Sequence, residues 1–249
     1  MKIIAVIPSR YASTRFPGKP LADICGKPMI WWVYNEAKKN EEFADVIVAT
    51  DNDKIMDVCK EYDMRAMMTS DKHPTPFDRV AEVASKTDAD YYAIITGDEP
   101  TLRAEDEKKL INAILSGVEA DTIQLVEAMS DPVDVVNPTT VKLAMNEEGY
   151  CIFMSRAPIP WPKGMLGYTY YKGLGCLAMR RGTLDFFSKT KRGVLELVEE
   201  LSPLRLLENH KTHFTVKAEF QSISVDTPKD LERVREIIKQ RLAMGSVIL

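Results

Sequence analysis

The stretch Ile3-Ile4-Ala5-Val6-Ile7, followed by Pro8-Ser9-Arg10-Tyr11-Ala12-Ser13-Thr14-Arg15-Phe16-Pro17-Gly18-Lys19-Pro20-Leu21, decides the fold. Its opening residues are apolar without a break and mostly β-branched. That pattern suits a strand covered on both faces, the usual state of a parallel strand flanked by helices. The segment after Pro8 is polar and punctuated by proline and glycine, so it reads as a loop. In an open α/β sheet, ligands bind beyond the carboxyl ends of the strands. Arg10, Arg15 and Lys19 in a loop at that position are placed to surround a polyphosphate, with Ser13 and backbone N–H groups as further donors. The plainer alternative is a basic surface loop. The spacing matches neither G-x-G-x-x-G nor G-x-x-x-x-G-K-[ST], which counts against a dinucleotide dehydrogenase and a P-loop kinase.

Outward from this stretch, strands and helices alternate. Pro28 opens a helix with Met29, Val33 and Ala37 on one face. Strands are predicted at 46–50, 65–68 and 91–95, with helices at 53–62, 77–86 and 104–115. This order predicts a mostly parallel sheet with helices on both faces. Beyond it, strands at 122–126, 141–145, 150–154 and 174–179 have little helix between the middle pair, and Glu147-Glu148-Gly149 reads as a hairpin turn. Helical patterns fill 193–209, broken at Ser202-Pro203, and run from Pro228 to about Leu242, with a strand at 213–216 between them. The expectation is one domain over 1–249, with stretches 1–130, 131–222 and 223–249.

The chain has 249 residues, 45% hydrophobic, enough to bury a core without staples. A net charge of −4 argues against a nucleic-acid binder. No stretch has the apolar length to cross a bilayer. The four cysteines and three histidines form no metal-binding spacing. With no export signal and no disulfide framework, a cytoplasmic location is expected.

Two further apolar runs end in carboxylates: Ile95-Thr96-Gly97-Asp98-Glu99-Pro100 and Ile223-Ser224-Val225-Asp226-Thr227-Pro228. Alone, Asp226 is most simply a helix N-cap, as is Asp51 after the second strand. Together, Asp98 and Asp226 facing a cationic loop would suit Mg²⁺ bound to phosphates. His73 reads as a solvated loop residue, and His210 and His213 as capping or surface residues.

At this point the motifs become familiar. The loop 8–21 and Gly26-Lys27-Pro28-Met29-Ile30 closely resemble the 3-deoxy-manno-octulosonate (KDO) cytidylyltransferases. The likeness continues through Val48-Ala49-Thr50-Asp51, Met68-Thr69-Ser70, Asp78-Arg79, Gly97-Asp98-Glu99-Pro100, Asn137-Pro138, Val141-Lys142, Ser155-Arg156, Ile159-Pro160-Trp161 and Val225-Asp226-Thr227-Pro228. The resemblance implies a nucleotidyltransferase fold, Mg²⁺ dependence, a homodimer, and transfer of CMP from CTP to a sugar acid with release of pyrophosphate. It implies Arg10, Arg15, Lys19, Asp98 and Asp226 as the catalytic set, with Asp98 and Asp226 holding the metal. Pro8, Arg10, Ser13, Arg15, Lys19, Thr69, Arg79, Gly97 and Asp98 would bind nucleotide. Thr96, Arg156, Lys172, Gly173 and Arg205 would face the sugar. By the same likeness 1–130 would be a nucleotide-binding half, 131–222 a sugar-binding and dimerisation half, and 223–249 the segment of the second metal aspartate and a C-terminal helix.

Departures cluster on the sugar side: Thr96 where the family has Gln, Gly173 where it has His, Leu177 where it has Tyr, and Ser202-Pro203 in place of Glu-Gln. A site that loses hydrogen-bonding partners loses selectivity. The expected acceptor is therefore KDO-like but not necessarily KDO, with related acidic or phosphorylated polyols and amino-sugar acids kept open. Thr75-Pro76-Phe77 replaces Ser-Gly-Thr beside the base pocket, which leaves the base preference open. The alternatives are CTP-dependent activation of another phosphorylated or acidic small molecule, and a catalytically silent sensor of CTP or CMP-sugar.

Overall fold

The computed structural model describes residues 1–12 and 16–246. Ser13 and Arg15 of the loop therefore lie outside the described residues. The strands are β1 (Ile3–Ser9), β2 (Asp23–Ile24), β3 (Lys27–Pro28), β4 (Phe43–Thr50), β5 (Ala66–Met68), β6 (Tyr91–Ile95), β7 (Thr122–Ala128), β8 (Lys142–Met145), β9 (Cys151–Ser155), β10 (Tyr171–Arg180) and β11 (His213–Lys217). The helices are α1 (Met29–Lys38), α2 (Asp53–Glu61), α3 (Pro76–Lys86), α4 (Ala104–Leu115), α5 (Pro132–Val136), α6 (Arg181–Lys189), α7 (Val194–Glu199), α8 (Leu204–Glu208) and α9 (Pro228–Ala243).

The sheet runs β11-β7-β10-β6-β1-β4-β5. β1 pairs parallel with β4 and β6, β4 with β5, and β11 with β7. β10 lies antiparallel between β6 and β7, so the sheet is mixed and mostly parallel. The predicted sugar-side half is thus not wholly separate: β10 and β11 enter the main sheet, and only the β8–β9 hairpin branches from it.

The uninterrupted apolar strands are explained by burial on both faces. Ile3, Ala5 and Ile7 pack with Ile30 and Val33 of α1, Ile55 of α2 and Leu110 and Ile111 of α4. Ile4 and Val6 point the other way, onto Val80 and Val83 of α3 and Leu184 and Phe187 of α6. A third cluster seats α9 through Leu231, Val234 and Ile238 on Ile24 and Trp32. Sequence periodicity missed the short α5, α6, which follows β10 without a break, and the small β2–β3 hairpin within the first loop.

Candidate active site

The carboxyl ends of β1 and β6 open into a cleft of about 740 Å³ lined by Pro8, Ser9, Arg10, Ala12, Lys19, His73, Thr75, Pro76, Arg79, Thr96, Gly97, Asp98 and Asp226, with Pro17 and Pro20. The first loop is closed at its base by the Gly18 N–H, which donates to the Tyr11 carbonyl at 3.0 Å. Gly18 sits at φ +71° and starts a single 3₁₀ turn, Lys19–Leu21. Only a residue without a Cβ adopts that conformation at little cost, and the turn aims Lys19 inward. At the end of β6, a Cβ on Gly97 would lie 2.7 Å from Ser9 Oγ. Glycine there lets the two strand ends converge.

Lys19 is the hub. Its Nζ donates to Asp98 Oδ2 at 2.7 Å and to the Val225 carbonyl at 2.8 Å, and lies 3.8 Å from Asp226 Oδ1. The Val225 N–H in turn donates to the Asp98 carbonyl at 2.8 Å. Two carboxylates far apart in sequence therefore face one cation. Asp226 is not the N-cap of α9: Thr227 caps it, in a capping box with Asp230. Asn52 likewise caps α2, which leaves Asp51 to accept from Arg79 Nη2 at 2.6 Å. Arg79 also donates to Thr69 Oγ1 at 2.5 Å, so Thr69 and Asp51 orient a buried guanidinium on the cleft wall.

Of the expected sugar-side residues, Thr96 lines the cleft. The other four lie elsewhere. Lys172 reaches the Ser222 carbonyl at 3.1 Å and Glu127 Oε2 at 3.4 Å. Arg156 donates to the Glu199 and Pro138 carbonyls. Gly173 abuts Gln124, whose Nε2 would stand 2.7 Å from a Cβ there. Arg205 is 3% exposed, doubly bonded to buried Glu196 at 2.7 Å for each contact and stacked on Phe187. Its charge is committed to the α7–α8 junction, a buried pair where loss of one partner leaves the other uncompensated. Leu177, another departure from the family pattern, is core packing beneath α3 and α6.

Two residues beyond the sequence reading belong to the site's surroundings. His73 lines the cleft, with Nε2 2.5 Å from Glu82 Oε2. Glu99 is buried behind Asp98; its Oε1 accepts from the Gly175 N–H at 2.6 Å and its Oε2 from Ser222 Oγ at 3.0 Å. Burial, with the Asp98 charge, pushes the Glu99 carboxyl up to about 7 despite those bonds. His213, expected at the surface, is buried between Thr122 and Gln124, and burial pushes it down to about 4.

A cytidylyltransferase family model matches residues 4–213. The chain belongs to the cytidylyltransferase family. It is 42% identical to the 3-deoxy-manno-octulosonate cytidylyltransferase of Koribacter versatilis, over 97% of this chain and 92% of that protein. Identity to the Escherichia coli enzyme of the same name is 36%, over 97% of this chain and 98% of the other. A solved structure of CMP:2-keto-3-deoxy-manno-octonic acid synthetase complexed with CTP superposes with a TM-score of 0.92, at 36% identity, covering 97% of this chain and all of that one. The family assignment makes this chain a nucleotidyltransferase.

Proposed function

We propose that this cytidylyltransferase transfers CMP from CTP to KDO in the cleft at the ends of β1 and β6. The observation that carries the reading is Lys19 bridging Asp98 and Asp226 beside Arg10. In the reaction, an acceptor hydroxyl loses its proton and bonds to the α-phosphorus as the bond to the departing pyrophosphate breaks. Negative charge grows on phosphate oxygens throughout, and fixed cations aimed at those oxygens lower the barrier. Arg10 and Lys19 supply that charge, and Ser13 and Arg15 belong to the same loop by the family likeness.

Among the described residues, no group of three or more His, Cys, Asp or Glu side chains is placed to hold a metal by itself. Asp98 and Asp226 nevertheless fit Mg²⁺, which is usually held by one or two carboxylates together with substrate phosphates and water. When bound, the ion neutralises charge on the triphosphate. Lys19 then serves to hold the two carboxylates toward one point.

KDO is favoured as the acceptor by the named relatives and by where the departures fall. Leu177 is in the core, and the space beyond Gly173 is filled by Gln124, so neither change faces the cleft. Thr96 does. The apolar surface of α7 and of the loop before β10, where Trp161 is 79% and Val198 76% exposed, supports a homodimer.

The test is pyrophosphate release from CTP with KDO and with a panel of other sugar acids. The wild-type chain is expected to turn over KDO. Asp98→Ala and Lys19→Ala are expected to lose about 10²–10³-fold or more in kcat, with thermal unfolding still cooperative. Wild-type turnover in Asp98→Ala would sink the metal assignment. Tight CTP binding with no release for any acceptor would instead favour a sensor.

A further inference from the structure

The two ends of the cleft differ in charge. At one end Lys19, Asp98 and Asp226 converge. At the other, the polar groups have been paired off: Arg79 with Asp51 and Thr69, and the Thr75 hydroxyl with Asp78. In sheet order, Asp98 follows β6 and His73 follows β5, three strand spacings away across β1 and β4. At ~4.8 Å per spacing that is about 14 Å. With the triphosphate held at the charged end, the nearly neutral end is left for the heterocyclic base.

On that wall His73 is the exception. Glu82 Oε2 lies 2.5 Å from its Nε2 and also accepts from the Ser70 N–H at 2.8 Å, while Oε1 accepts from Lys86 Nζ at 2.6 Å. Those bonds hold the Glu82 carboxyl down at about 2, although burial opposes them, so it is an anion and accepts only. The proton between the two residues therefore belongs to Nε2. The carboxylate fixes the tautomer, as such partners do. With that proton on Nε2, Nδ1 carries the lone pair of this tautomer, and it has no hydrogen-bond partner among the described residues.

We infer that His73, held by Glu82, is a base-specificity residue whose Nδ1 accepts a hydrogen bond from the exocyclic amine of cytosine. Cytosine presents a donor at that position, whereas uracil presents an oxygen. A lone pair facing that oxygen repels it, and an unpaired polar contact in a closed site is a strong source of discrimination. This answers the question raised by Thr75-Pro76-Phe77: the base preference rests on the residue just before that segment's Pro74-Thr75 entry to α3. The inference depends on the proposed placement of the nucleotide.

The experiment measures equilibrium binding of CTP and UTP, and kcat/KM for each with KDO, in mildly alkaline buffer. Binding reads the inference even if KDO proves to be the wrong acceptor, whereas failure of the wild-type chain to bind CTP would sink the functional reading itself. The wild-type chain is expected to prefer CTP. His73→Ala is expected to lower the CTP:UTP ratio about tenfold or more, mainly through weaker CTP binding, with KM for KDO unchanged. His73→Asn, whose amide oxygen can stand near the Nδ1 position, is expected to keep most of the preference. A purely structural role would weaken both nucleotides in parallel. An unchanged ratio in His73→Ala, a parallel loss, or an Asn variant as unselective as Ala would each overturn the inference.

Discussion

Glu99 shows how one residue can be read from sequence and still surprise. The run Gly97-Asp98-Glu99-Pro100 marks a site, yet its two acids have opposite fates. Asp98 faces the cleft and Lys19, while Glu99 turns inward to the Gly175 N–H and Ser222. Sequence offers no sign of this, because burial is a property of the far strand β10. The consequence is a definite pH dependence. The Glu99 carboxyl titrates near 7 in the folded chain against an ordinary value of 4.5. Its protonated form therefore favours the folded state below about 4.5, and that contribution is lost as pH rises through about 7. Glu99→Gln mimics the protonated form, since its amide can donate to Ser222 and its oxygen can accept from Gly175. Relative to wild type, the variant is expected to gain stability across this window, by up to about 1.4 kcal/mol per pH unit. A difference in Tm that stays constant over the window would contradict the assignment.

At the scale of elements, α9 connects a local signal to the site. Thr227-Pro228-Lys229-Asp230 is a capping box written in the sequence, with Thr227 Oγ1 accepting from the Asp230 N–H at 3.3 Å. Because Thr227 caps the helix, Asp226 is left outside the first turn and beside Lys19. Thr227→Ala is expected to cost about 1 kcal/mol of stability. It should also lower kcat while leaving KM for CTP nearly unchanged, because the cap fixes the backbone that carries Asp226; a stability loss with unchanged kcat would separate cap from site. The strands and long helices were legible for a similar local reason: doubly buried strands read as continuous apolar runs, and α3 and α4 carry a full amphipathic pattern. The five-residue α5 carries too few turns for periodicity to stand out, and α6, as long as α2, follows β10 with no loop between them to mark its start. The sugar-side departures were only half legible for a different reason. Residue type at 173 and 177 is visible in sequence, but the face each position presents is not.

At the scale of the whole molecule, two stretches carry several exposed apolar side chains each. Val194, Leu197 and Val198 stand out from α7, and Trp161, Met165 and Leu166 from the loop before β10. Arg156 ties these parts together: its backbone N–H donates to Glu199 Oε2 at 2.9 Å and its side chain reaches the Pro138 carbonyl. Clustered exposed apolar side chains of this kind mark interaction sites, and a second copy of the chain is the occupant proposed above. Sedimentation is expected to show a dimer for the wild-type chain, and a paired Trp161→Glu, Val198→Glu variant is expected to sediment as a monomer. A wild-type monomer at all concentrations would remove the proposal.

The sequence by itself determined the parallel α/β architecture, the cationic loop after the first strand and the two carboxylates, because hydrophobic periodicity, turn chemistry and motif spacing are local properties of the chain. Only the tertiary structure decided which charges are available. Arg205 and Arg156 look as basic in sequence as Lys19 does, but Glu196 and Glu199 hold them away from the cleft, while Asp98 and Asp226 hold Lys19 within it. The physical reason is that a side chain's charge is set by composition, whereas its partner, burial and direction are set by contacts between segments distant along the chain.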